Sequence, residues 1–255
     1  MSIRWSKIAN DSEDILRAAS ENFDCVELPV DFFMKIPDEQ FISQKDLFIR
    51  NNIIPEVCSS ILPANVFVTE KGFNLYAWTE YLKKAVKRLS DLGCRKMVWN
   101  NGRARVLPLE GDTGGMKSQI LQFIHMLCDL SSEYGITILI EPLGPLRTNY
   151  LNSMREIEEF ITLIPDDNLS SLVSLRGLEE IDLKIGQLHG YSGLIKHVYL
   201  ENPLNKRGKR ISPHSGDGYD YSSFLSALKA FNYDGVINLP EDADSETLQY
   251  CRTLV

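Results

Sequence analysis

One carboxylate of this sequence lies where α/β enzymes usually place their chemistry. The stretch ITILIEP, residues 136–142, is a run of apolar and β-branched residues that ends in Glu141 and Pro142. Such a run is typical of a strand buried on both faces, and it should end at the proline, which cannot donate to a strand ladder. Active sites of barrels and open α/β sheets lie at the carboxyl ends of their strands. Glu141 is therefore a candidate general base, and the alternative is an exposed loop glutamate.

Other side chains suited to binding a polar ligand fall at strand ends or in the loops that follow. Glu27 ends the predicted second strand, where it can face a pocket and pair with arginines. Trp99 ends the fourth, where it can stack on the ring of a ligand or lie in the core. Asn149 and Asn202 can bond hydroxyl groups of a ligand, and the alternative for both is loop capping.

The loop after the predicted seventh strand is cationic, although the protein is acidic. It carries Lys206, Arg207, Lys209, Arg210 and His214. Guanidinium groups pair with carboxylates and phosphates through two parallel hydrogen bonds, so one hypothesis is that this loop binds an anionic group of a ligand. The alternative, a run of solvated charges, is the commoner case.

The elements that position these residues alternate between strand and helix. In SDLGCRKMVWN, SSEYGITILIEP and KAFNYDGVINLP, a helical pattern ends at glycine or Asn-x-x-Gly and a short apolar strand follows. Strands are expected at residues 3–8, 24–30, 94–100, 136–142, 168–175, 195–202 and 236–240, and residues 52–62 are expected to hold a third strand that runs into a loop. Helices are expected between them, including residues 76–92, residues 116–134 and the segment EEIDLKIGQL. This alternation predicts a single (β/α)8 TIM barrel over residues 1–255; the runner-up is a doubly wound sheet, whose usual nucleotide-binding loops are not found.

Composition excludes several classes of function. The 255 residues carry a net charge of −8, which disfavours a nucleic-acid partner. The five cysteines are dispersed and form no CxxC pair, so neither a disulfide framework nor a zinc finger is indicated, and a reducing compartment, the cytoplasm, is expected. Neither a signal peptide nor an apolar stretch of about 18 residues is present, so no membrane association is expected.

Several fragments have the order and spacing of one known family. They are VELP at 26–29, GRARVLP at 102–108, EPL at 141–143, TN at 148–149, HV at 197–198 and SGDGYDYSSFLSALKAFNYDGVINL at 215–239. Together they resemble the xylose isomerase-like TIM barrels, the sugar phosphate isomerase/epimerase group that also contains the type IV apurinic endonucleases. The resemblance implies a divalent Mn, Mg, Co or Zn ion at the barrel mouth, which polarises a carbonyl while a carboxylate moves the neighbouring proton. It also implies that Arg105 and Arg210 contact the substrate.

The ligand set implied by the resemblance is incomplete in this chain. The four ligand positions fall on Glu141, Ser174, Tyr199 and Pro240. A single carboxylate does not hold a divalent ion in a defined geometry, so no metal is expected unless Glu241 or His197 restores the site. Glu241 requires a bulge beside Pro240, because a shift of one residue turns a strand side chain to the other face. His197 is expected to be a buried, hydrogen-bonded residue, and Tyr199 a substrate contact.

The leading hypothesis is a sugar or sugar phosphate isomerase/epimerase-like protein, active or formerly active, that works without the metal. Glu141 would be its base, and its ligand a small, phosphorylated or carboxylated molecule held by Arg105 and Arg210. The second hypothesis is a barrel that binds a sugar-like ligand or a partner without turnover. A DNA-repair endonuclease is disfavoured, because its trinuclear site needs many His, Asp and Glu ligands and the chain has four histidines.

Overall fold

Short apolar and β-branched runs form parallel strands that close into a barrel in the order β1 to β8. The computed structural model describes residues 3–205 and 208–255. The strands are β1 Arg4–Ile8, β2 Cys25–Pro29, β3 Val57–Ser59, β4 Lys96–Trp99, β5 Thr137–Ile140, β6 Leu169–Ser174, β7 Ile195–Tyr199 and β8 Val236–Leu239. The barrel closes where β1 pairs with β8, with Arg4 opposite Val236. The predicted (β/α)8 barrel is confirmed.

Helices on the outside connect the strands. They are α1 Ser12–Ser20, α2 Val30–Lys35, α3 Asp38–Arg50, α4 Leu75–Asp91, α5 Thr113–Ser132, α6 Met154–Ile161, α7 Tyr221–Ala230 and α8 Ser245–Thr253. Side-chain caps fix several of their starts, because the first backbone N–H groups of a helix lack partners within it. Ser153 accepts from the backbone of Glu156 at 3.2 Å, which confirms the predicted cap of α6. Among the described residues, no helix has the length and apolar character that crossing a membrane requires.

Two predicted elements differ in detail. Residues 52–62, expected to hold a strand that runs into a loop, form a strand only over Val57–Ser59, and the backbone turns into the left-handed region at Ser60, where φ is 60°. The segment EEIDLKIGQL does not form an α-helix. It forms two 3₁₀ segments, Glu179–Ile181 and Ile185–Tyr191, and between them Asp182 adopts a φ of 51° that a right-handed helix cannot contain.

The barrel interior holds an apolar cluster and a polar layer beside it. The inward-facing apolar cluster consists of Val57, Val98, Leu139, Leu172 and Tyr199. The polar layer contains Glu27, His197 and Asn238, which are all buried. The outward-facing strand residues pack against the helices in a larger core. The barrel interior is therefore filled, and a ligand of the barrel would lie above the carboxyl ends of its strands, a region here called the mouth.

Candidate active site

A pocket of about 390 Å³ lies at the mouth, above the ends of β5, β6 and β7. Its charged lining consists of Glu141, Glu180, Glu201, Arg147, Arg176 and Arg210. A larger cleft of about 900 Å³ lies on the outer face of α4 and α5, between side chains such as Lys83 and Glu133. The mouth pocket is the candidate active site, because the strand ends converge there and buried charges face it.

Arg210 lies between the two buried carboxylates of this pocket. Its Nη2 is 3.5 Å from Oε1 of Glu141, and its Nε is 3.4 Å from Oε1 of Glu201. The side chains of Glu141 and Glu201 are 3% and 1% exposed, whereas that of Arg210 is 25% exposed. The guanidinium carbon also lies 4.7 Å from the centre of the Tyr199 ring. The arginine therefore covers the acidic pair from the solvent side and rests on an aromatic face that attracts cations.

Glu201 is held by groups from neighbouring loops and strands. The hydroxyl of Ser174 lies 3.1 and 3.2 Å from its two carboxylate oxygens. The same hydroxyl accepts a hydrogen bond from the backbone N–H of Gly177 at 3.1 Å. Burial raises the pKa of Glu201 despite Arg210 beside it, and Glu141 adds to the rise. Glu201 can therefore keep its proton at a higher pH than an exposed glutamate.

Arg210 stays charged in this setting. Burial alone would lower its pKa, but Glu201 and Glu141 outweigh burial and raise the pKa above the ordinary arginine value. A permanent positive charge with several N–H donors is therefore fixed at the floor of the pocket.

Glu27 belongs to the polar layer beneath the pocket and not to its lining. Its Oε1 accepts from the hydroxyl of Tyr199 and its Oε2 from Nδ2 of Asn238, both at 2.8 Å. Nε2 of His197 lies 3.4 Å from Oε2. Burial alone would raise the pKa of Glu27, but the contacts with His197, Ser59 and Tyr199 outweigh burial and lower it. The expected pairing of Glu27 with arginines is therefore corrected: Glu27 accepts hydrogen bonds from Tyr199 and Asn238, and His197 lies beside it.

The side chains of His197 and Tyr199 are also buried in the barrel interior. Their rings meet edge to face with centroids 4.8 Å apart, and His197 has no exposed surface. Burial lowers the pKa of His197 although Glu27 opposes the shift, so the imidazole is neutral near pH 7. Tyr199 presents its ring to Arg210 and its hydroxyl to Glu27, so it supports the pocket from below.

Arg105 and Trp99 lie behind the pocket wall, so their expected contacts with a ligand are corrected. Arg105 is fully buried and donates from Nη2 to the backbone carbonyl of Glu141. Burial lowers its pKa to about 9, although Glu141 opposes the shift. The ring of Trp99 lies 5.3 Å from the Arg105 guanidinium carbon and 5.8 Å from the ring of Phe123. Both residues brace the end of β5, which positions Glu141.

The two asparagines organise loops, which was the alternative for both. Asn149 accepts from the backbone N–H of Leu107 at 2.7 Å and donates to its carbonyl at 2.8 Å. Asn202 donates to Asp217 at 3.0 Å and accepts from the backbone N–H of Leu204 at 2.8 Å. The backbone N–H of Asn202 also donates to the carbonyl of Ile211 at 2.8 Å, which pins the base of the loop that carries Arg210.

The cationic loop does not act as one cluster in the described residues. Arg210 turns into the pocket, whereas Lys209 pairs with Glu241 outside it. His214 is exposed and does not line the pocket. Lys206 and Arg207 lie outside the described residues.

The side chains at the mouth do not fit the divalent ion that the fold implies. Of the implied ligand positions, Ser174 donates to a carboxylate, Tyr199 is turned down to Glu27 and Pro240 has no ligand atom. Glu241 does not restore the set, because it pairs with Lys209 and accepts from Asn10 at 2.9 Å. Glu141 and Glu201 remain, with a guanidinium group between them.

The group of His125, Asp129 and Asp166 lies far from the mouth. Among the described residues it alone brings three such ligand atoms within 4.8 Å of one another. It lies on the outer surface, where both ring nitrogens of His125 face separate carboxylates at 4.0 and 3.4 Å. This arrangement is typical of a surface ion pair.

Three functional candidates were missed from the sequence. Glu201 lies two residues beyond Tyr199 and faces the same side, which the twofold period of an extended chain indicates. The residue predicted to bind a ligand was its neighbour Asn202. Arg147 and Arg176 follow β5 and β6 and line the pocket, but no local pattern distinguishes them from other surface arginines.

Comparison with known proteins identifies the family. The model of the xylose isomerase-like TIM barrel family matches residues 15–248, so the chain belongs to this family. Among curated protein sequences no relative matches. A structure of D-psicose 3-epimerase in the presence of D-fructose is similar, with a TM-score of 0.83, 14% identity and 99% of each chain covered.

Two other solved structures are similar over nearly the whole chain. The 3-keto-D-glucoside 4-epimerase of E. coli has a TM-score of 0.78 and 14% identity, with 99% of this chain and 100% of that chain covered. The IOLI protein with a binding zinc atom has a TM-score of 0.72 and 17% identity, with 99% and 96% covered. At these identities the likeness shows a shared fold.

Proposed function

We propose that the mouth binds a small sugar-derived carbonyl compound and moves the proton next to the carbonyl, as in isomerases and epimerases, without a divalent metal. The observation that carries the proposal is the pair Glu141 and Glu201 on two sides of Arg210. Oε2 of Glu141 is buried and has no hydrogen-bond partner among the described residues, so it can accept a proton. The sugar epimerases with the same fold support this class of reaction.

The two carboxylates suit opposite halves of a proton transfer. Glu141, as the base, would take the proton from the carbon next to the carbonyl, and the electron pair of that C–H bond would form the enediolate. The raised pKa of Glu201 suits an acid that returns a proton to the enediolate. Return to the other face of the same carbon gives an epimer. Return to the former carbonyl carbon gives an isomer, when the hydroxyl proton of the enediolate moves to the former carbonyl oxygen. The atoms balance without an oxidant or a reductant.

An anionic substrate suits the rim of the pocket. Arg147 and Arg176 line it, and among the described residues neither has a carboxylate within ion-pair distance. Within the part of the chain that the structure describes, Arg176 donates only to the backbone carbonyl of Gly208, at 3.3 Å. Two guanidinium groups that have no ionic partner in that part of the chain favour a phosphate or a carboxylate on the ligand. An Arg147→Ala/Arg176→Ala variant should weaken binding of phosphorylated or carboxylated sugars and leave binding of neutral sugars unchanged.

The test is wash-in of deuterium from D₂O into a panel of ketoses, sugar phosphates and sugar acids, followed by proton NMR. Exchange by the wild type should survive EDTA and fall about 10²- to 10⁴-fold in Glu141→Gln, since a positioned base contributes that much. Glu180→Gln, which changes an exposed carboxylate of the same pocket, is the matched control and should keep the wild-type rate. Exchange that persists in Glu141→Gln, or that requires added metal, would contradict the proposal.

The second candidate function is ligand binding without turnover. It is favoured by the ion pairs of both carboxylates with Arg210, which occupy the oxygen atoms that face the arginine. Calorimetry separates the two functions: a sugar that binds but shows no deuterium exchange over days supports the silent barrel.

A reducing compartment such as the cytoplasm is part of the proposal. The five cysteines are free and buried, which is the state expected where disulfides do not form.

A further inference from the structure

We propose that the guanidinium group of Arg210 is the built-in cation of this pocket, and that it keeps a divalent ion out. The residues at three of the implied ligand positions surround it. Glu141 pairs with it at 3.5 Å, and the Tyr199 ring lies 4.7 Å beneath it. Ser174 donates a hydrogen bond to Glu201, and Oε1 of Glu201 lies 3.4 Å from Nε of Arg210.

Charge balance explains why the arginine and an ion compete. Two buried carboxylates need a positive partner, because a buried charge without one is strongly disfavoured. Arg210 supplies that charge and contacts both of them. An added dication would lie within a few ångströms of the guanidinium group, where like charges repel strongly at low dielectric. It would also have to take Glu141 and Glu201 from their present partner.

This cation is a side chain of the protein, and a backbone hydrogen bond next to it holds the loop in place. Arg210 adjoins Ile211, whose carbonyl is bonded to the backbone of Asn202 at the end of β7. A chelator cannot remove a charge that is fixed in this way. Arg210 lines the pocket and its side chain is 25% exposed, so its guanidinium group can donate to a ligand oxygen.

The guanidinium group thus has a role in the proposed reaction. As the proton leaves the carbon, negative charge develops on the former carbonyl oxygen, and a fixed cation that donates hydrogen bonds stabilises it. This part of the inference rests on the proposed function, whereas the exclusion of metal does not.

The experiment measures Mn²⁺ binding by electron paramagnetic resonance of the free ion, and needs no substrate. Ser174→Asp is made with and without Arg210→Gln. The double variant gathers three carboxylates at the mouth, a donor set that hard divalent ions prefer. We expect it to bind one Mn²⁺ at least 100-fold more tightly than Ser174→Asp alone, and the wild type to bind none at millimolar concentration. Ser174→Asp/Arg210→Lys, which keeps the charge, should resemble Ser174→Asp.

Controls separate folding from exclusion. Ser174→Asp/Arg176→Gln removes a neighbouring arginine of the same pocket and should not create metal affinity. Equal Mn²⁺ affinity with and without Arg210, or tight binding by the wild type, would overturn the inference. If circular dichroism shows that the double variant is unfolded, Arg210→Gln alone is compared with the wild type, and equal Mn²⁺ affinity again overturns it.

Deuterium exchange tests separately whether Arg210 stabilises the negative charge that develops on the ligand. Where the wild type exchanges deuterium, Arg210→Gln should lose at least 100-fold in rate and Arg210→Lys should recover part of it. Where the wild type shows no exchange, the proposed function fails, and the Mn²⁺ result still decides whether Arg210 excludes the ion.

Discussion

Tyr199 and Glu27 are joined by a hydrogen bond of 2.8 Å across the barrel interior, between the end of β7 and the middle of β2. The other side of the same tyrosine lies beneath Arg210. One side chain therefore links the buried polar layer to the floor of the pocket, and a change in either layer is transmitted through it.

Removal of the Tyr199 hydroxyl should destabilise the barrel. Tyr199→Phe leaves the buried Glu27 carboxylate with one donor fewer, which costs about 1–3 kcal/mol of the free energy of unfolding. Urea denaturation measures the change. Tyr76→Phe is the control, because Tyr76 is 86% exposed, and it should change stability by less than about 0.5 kcal/mol. Equal effects of the two substitutions would contradict the assigned bond.

Glu201 should make stability depend on pH. Its pKa is raised on folding, mainly by burial, so the folded state binds its proton more tightly than the unfolded state does. Its stabilising contribution is then fully present below the ordinary glutamate pKa of about 4.3, and is lost as the pH rises through the raised pKa. We expect the free energy of unfolding of Glu201→Gln, relative to wild type, to increase from about pH 4 to pH 7. Urea titrations at several pH values test this, with Glu180→Gln as baseline; a flat difference contradicts it.

The cysteines should be inert in the folded protein. Burial raises the pKa of Cys25, Cys128 and Cys251 to about 12, and all five thiols are buried. The thiolate is the reactive form, so a thiol reagent at about pH 8 should label the native protein slowly and all five cysteines after unfolding. Rapid labelling before unfolding would show that a thiol is accessible.

Arg88 should contribute more to stability than its neighbour Lys87. The Arg88 side chain is 6% exposed and donates to the backbone carbonyls of Phe33 and Ile36, beside the end of α2. Arg88→Met should cost about 1–3 kcal/mol for each carbonyl left unpaired. Lys87 is 64% exposed and, among the residues that the structure describes, pairs only with Asp91 on its own helix, so Lys87→Met should cost at most about 1 kcal/mol. Thermal and urea unfolding compare the two.

The strands could be predicted because their apolar runs end at recognisable breakers. Glu141 precedes Pro142, and the structure places it in the pocket as its position after β5 implies. Whether a strand side chain points into the barrel or towards the helices was harder to predict. A strand buried on both faces shows no apolar and polar alternation, so the sequence does not tell that Val98 points into the barrel and Trp99 towards the helices.

Long-range pairing explains the remaining differences. Nothing local indicates that Arg210 turns inwards while Lys209, one residue before it, turns out to Glu241. The role of Ser174 depends on Glu201, which lies 27 residues further along the chain. Such contacts follow from the closure of the barrel, which brings the ends of distant strands together.

The backbone hydrogen bond between Asn202 and Ile211 fixes the position of Arg210, whatever the length of the loop between Asn202 and Arg210. Arg210 adjoins the pinned end, so extra residues after Asn205 would lengthen only the outer part of the loop. Each doubling of loop length costs only about 0.6 kcal/mol. This loop is therefore a suitable insertion point for a reporter peptide, because the backbone bond that anchors Arg210 would stay in place.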